Sequence, residues 1–257
     1  MKLGMKSKGW LAWCCALFAG ATWTTHSLNA AAPDEPLLLT GTIYETSSGT
    51  NKILFTFRRT AVRSHNMVHM VQVVRDFLYP NGSLAARESI VFERGELLSF
   101  QLEEKQTGAR GGSSVTKDAK RKLLFDWTAD GKSKTDSEAF VADTLVGDMI
   151  PQFIIAHWKE LARGDAVSFR FIASSRLETV GFKLVKESEA DWRGKPAVRV
   201  RMEPSSVIIR QLVDPLFFIV EKDGAHRVLE YVGRITPKQR DGTKWKDLDA
   251  RTIYDWP

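Results

Sequence analysis

Between Asp143 and Gly164 the chain reads DTLVGDMIPQFIIAHWKELARG, and here the apolar residues recur at helical rather than alternating spacing. Leu145, Met149, Phe153, His157 and Leu161 fall on one line, with Val146, Ile150, Ile154 and Trp158 beside them. That stripe is wide enough to pack on a sheet. Pro151 suits a first helical turn, where its missing N–H costs nothing. The spacing therefore predicts one main helix at about 148–163, with Asp148 as N-cap and Gly164 as the C-terminal glycine.

On both sides of this segment the pattern changes to period two, with turn residues between the runs. Leu37–Glu45, Lys52–Val62, Met67–Tyr79, Ala85–Glu93 and Leu97–Gln106 read as strands, and Pro80-Asn81-Gly82 and Arg94-Gly95-Glu96 as tight connections. After the helix come Ala166–Ala173, Leu177–Glu187, Ala197–Glu203, Leu216–Lys222 and His226–Ile235. A short helical turn fits Ser205–Val213. Short connections imply an antiparallel meander, because parallel pairs need long crossovers. The expected fold is mainly β, a curved antiparallel sheet wrapped around one main α-helix. No linker rich in Pro, Gly and Ser divides it.

The amino terminus has the three parts of a secretory signal peptide. Lys2, Lys6 and Lys8 supply the positive region, Trp10–Ala21 the apolar run, and Ser27–Ala32 the small-residue zone. Cleavage near Ala30 is expected, leaving a single β-rich domain over 31–257 in the periplasm or secreted. A retained anchor fits less well, since a spanning helix needs roughly 20 apolar residues and Thr22–Asn29 are polar. A lipobox ending at Cys14 would put Trp13 where a small residue is wanted. Cys14 and Cys15 are the chain's two cysteines, so the mature domain has no disulfide and no thiol ligand or nucleophile.

Charge narrows the partners. Removing three lysines leaves 34 basic residues against 31 acidic ones, a net charge of +3, which argues against nucleic acid. Lys105–Lys122 holds six cations and one acid around Gly108-Ala109-Arg110-Gly111-Gly112. It reads as a solvated loop or lysine-protected edge strand. Its functional alternative is contact with an anionic membrane surface or an envelope protein partner.

Chemistry-bearing motifs are sparse. His65 and His69 share a face but lack a third ligand, and Arg63 and Arg75 oppose a cation, so no metal is expected. His157 lies on the apolar helix stripe with no nucleophile or water-positioning partner by spacing. There is no Gly-x-Ser-x-Gly elbow and no phosphate-cradling glycine loop. Glu103-Glu104 and Asp247 with Asp249 sit in polar surroundings, where nothing pushes their pKa values apart. No catalytic residue and no cofactor is expected. A hydrolase using His157 or His65 is the least favoured reading. What stands out is the weight of aromatics on strand faces: Phe55 with Phe57, Phe169 with Phe171, and Phe182 on an alternating run. They are either core under the helix or the lining of a cavity the helix leaves open.

Signal peptide, long meander and a helix inserted midway resemble the half-barrel envelope proteins of the lipoprotein-carrier (LolA-like) group. The later half, from Asp143 through Leu161-Ala162-Arg163-Gly164 to Glu230-Tyr231-Val232-Gly233, is similar to a bacterial exported domain family of unknown function. The resemblance implies a sheet curved around a helix and handling of lipid or lipoprotein, and it carries over no catalytic residue. The leading expectation is a non-enzymatic protein binding a hydrophobic or lipid-like ligand in its concave face. The candidate lining is Phe55, Phe57, Phe153, Trp158, Phe169, Phe171, Phe182 and Tyr231. The alternative is a structural or adaptor protein that docks an envelope partner. The terminal Tyr254-Asp255-Trp256-Pro257 either closes the sheet or tethers a partner.

Overall fold

The computed structural model describes residues 37–46, 52–63, 70–211 and 214–256. Fifteen strands form one sheet. The first eight are β1 (Leu37–Glu45), β2 (Ile53–Arg63), β3 (Met70–Leu78), β4 (Leu84–Glu93), β5 (Glu96–Glu104), β6 (Arg110–Val115), β7 (Lys122–Ala129) and β8 (Lys132–Ala139). After them come the two-residue β9 (Thr144–Leu145), a 3-10 turn at Gly147–Met149, and helices α1 (Ile150–Ala156) and α2 (Trp158–Arg163). The remaining elements are β10 (Val167–Ala173), β11 (Glu178–Trp192), β12 (Lys195–Pro204), α3 (Val207–Arg210), β13 (Leu216–Glu221), β14 (Val228–Asp241) and β15 (Lys244–Asp255).

The strand order runs from β8 back to β1, then from β15 back to β9. Each neighbour is antiparallel except the β9–β10 pair. The sheet is thus a curved, unclosed, half-barrel-like meander, as the short connections imply. The last strand sits at its centre: β15 pairs β1 on one side and β14 on the other, with Gly41 opposite Tyr254 and Tyr231 opposite Thr252. Of the two roles open to the carboxyl-terminal residues, the sheet-joining one describes Tyr254 and Asp255.

Two strands, β6 and β8, lie where alternation is absent. Lys105–Lys122 is solvated turn and loop at 105–109 and 116–121, but its middle is β6, hydrogen-bonded between β5 and β7 and so not an edge. Its glycines explain both the missing signal and the curvature. A Cβ on Gly112 would stand 1.9 Å from the Phe100 carbonyl oxygen, and one on Gly111 2.2 Å from that of Asp126. Only residues without side chains let these strands approach so closely, and such glycines mark tight bends in strongly coiled sheets. The edges are β9 and β8, and β8 is polar and exposed except at Glu138, which discourages edge-to-edge pairing.

The helix forms where expected but in two pieces. Pro151 lies in the first turn of α1. His157, at φ −105° and ψ 20°, breaks the ladder before α2. Gly164 ends α2 in the left-handed region at φ 93°. Asp148 makes no capping hydrogen bond; its carboxylate is turned to the sheet, because two arginines there offer a stronger partner than backbone N–H groups. The short α3 is capped by Ser206, whose hydroxyl accepts from the Ile209 N–H at 3.5 Å.

Candidate ligand-binding site

The site begins with charged residues on buried strand faces. Phe55, Phe57, Arg59 and Ala61 alternate along β2, and Val73, Arg75 and Phe77 along β3, with Arg59 opposite Arg75 and Phe57 opposite Phe77. On β4, Glu88 lies opposite Arg75 between Ala86 and Ile90. The concave face therefore carries two arginines and a glutamate in adjacent strands, where the pattern calls for apolar side chains.

The segment before α1 completes this cluster. Arg59 grips Asp148 bidentately, Nε donating to Oδ1 at 2.6 Å and Nη2 to Oδ2 at 2.9 Å. Arg75 Nε is 3.8 Å from the same carboxylate, and Arg75 Nη1 is 3.1 Å from Glu88 Oε2. The Thr236 hydroxyl donates to Glu88 Oε1 from β14. The Arg75 guanidinium lies 5.2 Å from the Phe57 ring centroid and 5.4 Å from that of Phe77, a cation–π arrangement. Burial works against the Arg75 charge, but Glu88 and then Asp148 outweigh it and hold its pKa above the ordinary value. Tyr254 packs edge-on against Phe57 at 5.8 Å. Burial pushes its hydroxyl pKa up, and although Arg75 pulls the other way, Asp148 and Glu88 reinforce the burial, so the phenol stays neutral.

Above this cluster is an open cavity of about 200 Å³. Arg59, Arg75, Asp148 and Tyr254 line it together with Leu37–Leu39, Phe57, Arg63, Met70, Val228 and Trp256, while Gly147, Pro151 and Gln152 close the helical side. Leu37 and Leu38 are 41% and 53% exposed. Trp256 is fixed by its indole N–H, which donates to the Val228 carbonyl at 2.8 Å.

Of the eight aromatics expected to line a site, the cavity includes Phe57. Phe55 packs in the same buried cluster, its ring 5.2 Å from Tyr79. The other six belong to the apolar core that α1 shares with β10–β14. There Phe153 meets Phe169 at 5.5 Å, and Phe182 meets Phe169 at 6.1 Å and Phe171 at 5.9 Å. Trp158 stacks on His226 at 4.4 Å, and Tyr231 lies 5.1 Å from Phe218 with its hydroxyl donating to the Arg234 carbonyl.

The remaining candidates are also placed. His157 rests against Phe153 at 4.4 Å, with Nδ1 3.9 Å from Glu160. His65 and His69 lie outside the described residues. Among the described residues, no group of three His, Asp or Glu is placed to hold a metal. Three cations of the basic segment are matched by acids: Lys105 with Glu103, Lys117 with Glu93 and Arg121 with Glu96, at 2.6 to 2.8 Å. Asp247 and Asp249 are both bound by Arg234.

The candidate-site residues that sequence reasoning passed over are Arg59, Arg75, Glu88 and Asp148. A signal for three of them was present, since each is a charge on an otherwise apolar strand face. For Asp148 there was none, because a helix N-cap accounts for it equally well. Comparison with protein-family models, curated proteins and solved structures gives no match, so the reading of this site rests on its own geometry.

Proposed function

We propose that the protein acts in the cell envelope after export and binds a hydrophobic or lipid-like ligand, without catalysis, in the concave-face cavity. The observation that carries this reading is the open cavity itself, rimmed by Leu37, Leu38 and Trp256 and floored by Phe57 and Tyr254. Leucines left exposed beside a concavity are the arrangement an apolar ligand covers. Its volume of about 200 Å³ is below the roughly 300–1,000 Å³ of sites that enclose whole drug-sized molecules. It therefore suits one apolar chain rather than a complete diacyl lipid. Each methylene removed from water contributes about 0.8 kcal/mol, which gives useful affinity without specific polar chemistry.

Native mass spectrometry of the protein recovered from its own source, with lipid extraction, tests this. A discrete co-purifying mass, diminished in Phe57→Ala and Trp256→Ala, is expected. An apo mass that no added lipid shifts contradicts the reading and transfers it to a structural or adaptor role.

A further inference from the structure

The cavity contains more cationic donor capacity than its own acceptors use. Among the charged residues that line it, Arg59, Arg63 and Arg75 face one carboxylate, Asp148. Both oxygens of that carboxylate are taken by Arg59. Glu88 stands behind Arg75 outside the cavity and forms an ion pair with it at 3.1 Å, without a hydrogen bond. Arg75 Nε and Nη1 have no hydrogen-bond acceptor among the described residues. Arg63, at the exposed end of β2, has no carboxylate partner among them either.

Arg75 cannot easily turn away to find water. Its side chain is 12% exposed and lies over the adjacent Phe57 and Phe77 rings. Gly147 sits over it so closely that a Cβ there would stand 3.1 Å from Nη1. Nε and Nη1 face the protein interior, so an arriving anion meets the part of the Arg75 guanidinium that lines the cavity and the exposed Arg63 beside it, where charge-assisted hydrogen bonds are the strong ones.

We propose that the ligand is an acidic amphiphile: a single apolar chain ending in a carboxylate or phosphate, its anionic end at Arg75 and Arg63 and its chain along Leu37–Leu39 and Trp256. This rests on the cavity being the binding site. It adds the chemistry of the head group, which the apolar rim alone leaves open.

The test is calorimetric titration of the purified protein with dodecanoate, dodecyl phosphate and dodecanol, each below its aggregation concentration. At least one acid is expected to bind about tenfold or more tighter than the alcohol, the scale of a hydrogen bond to a charged group. Whichever acid binds tighter names the head group. Arg75→Gln is expected to bring the ratio of acid to dodecanol affinity close to one. Should that variant fail to fold, the unmodified protein still decides through the comparison of the three ligands. Dodecanol binding as tightly as both acids overturns the head-group inference and leaves the cavity reading standing. Binding of none of the three overturns both.

Discussion

The two sides of α1 are built differently. Toward β10–β13, Ile150, Phe153 and Ile154 meet Phe169, Phe182, Leu184 and Val200 in a packed apolar core. Toward β1–β3, the opposite face of the same turns presents Asp148, Pro151 and Gln152 across an open cavity to Arg59, Arg75 and Phe57. One side holds the helix by burial and the other by an ion-pair clasp. A filled core maximises stability and leaves nothing to bind. A clasp over a cavity holds the helix in register while conceding volume. That difference is why the proposed site lies beside β1–β3, although the larger share of aromatics lies elsewhere.

Removing one member of the clasp should produce one of the largest effects. Asp148→Ala is expected to cost about 3–5 kcal/mol, because it strands the largely buried Arg59 without its carboxylate. Denaturant unfolding measures it. The double variant Arg59→Met, Asp148→Leu should recover much of that loss, since an apolar pair needs no compensating charge. If the double variant is no more stable than the single one, the clasp is not the electrostatic unit described.

On the filled side Phe169→Ala is expected to cost a comparable amount, about 3–5 kcal/mol. It should also open a void that admits a small apolar probe, seen as stabilisation of the variant, but not of the native protein, by benzene. Native protein stabilised equally would mean that this side already contains a cavity, and the contrast would fail.

A smaller effect is expected on the convex face. The Asp76 carboxyl is raised by burial and lowered more strongly by hydrogen bonds from Arg87 and Arg58, so that its pKa lies below the usual 3.8. A carboxyl depressed by folding stabilises fully above its unfolded pKa and loses that contribution as pH falls through the folded one. Asp76→Asn should cost about 1–3 kcal/mol near neutrality and flatten the decline in stability below about pH 4. An unchanged acid limb would show that the pair contributes nothing.

The smallest change belongs to α3, where Val207 and Ile208 are 65% and 74% exposed. Ile208→Ser should alter stability by no more than about 0.5 kcal/mol, read as an unchanged unfolding midpoint. A larger loss would mean that this turn is covered.

Much of this architecture was legible because burial imposes period two on half-buried strands. Leu37–Glu45 as a strand, the Asn81-Gly82 turn and Gly164 at the end of α2 follow from local chemistry that tertiary contacts did not override. β6 and β8 were not legible. The first uses Gly111 and Gly112 for close approach and the second is polar on both faces, so neither carries an apolar alternation. The helix read as continuous because its apolar stripe runs through His157, where the backbone breaks. The site was the least legible part. A face of Phe55, Phe57, Arg59 and Ala61 announces a buried charge but not its partner, and Asp148 lies 89 residues away along the chain.

The central claim is that ligand enters the clasp side of α1 and not the aromatic side. Photocrosslinking with a diazirine-bearing dodecanoate, followed by peptide mapping, tests it most directly. The account predicts labels on Leu37–Leu39, on Met70, on the 147–152 segment and on Tyr254 or Trp256. Labels concentrated on Phe153, Phe169, Phe171 and Phe182 would contradict it and place the binding cavity in the core described here as filled.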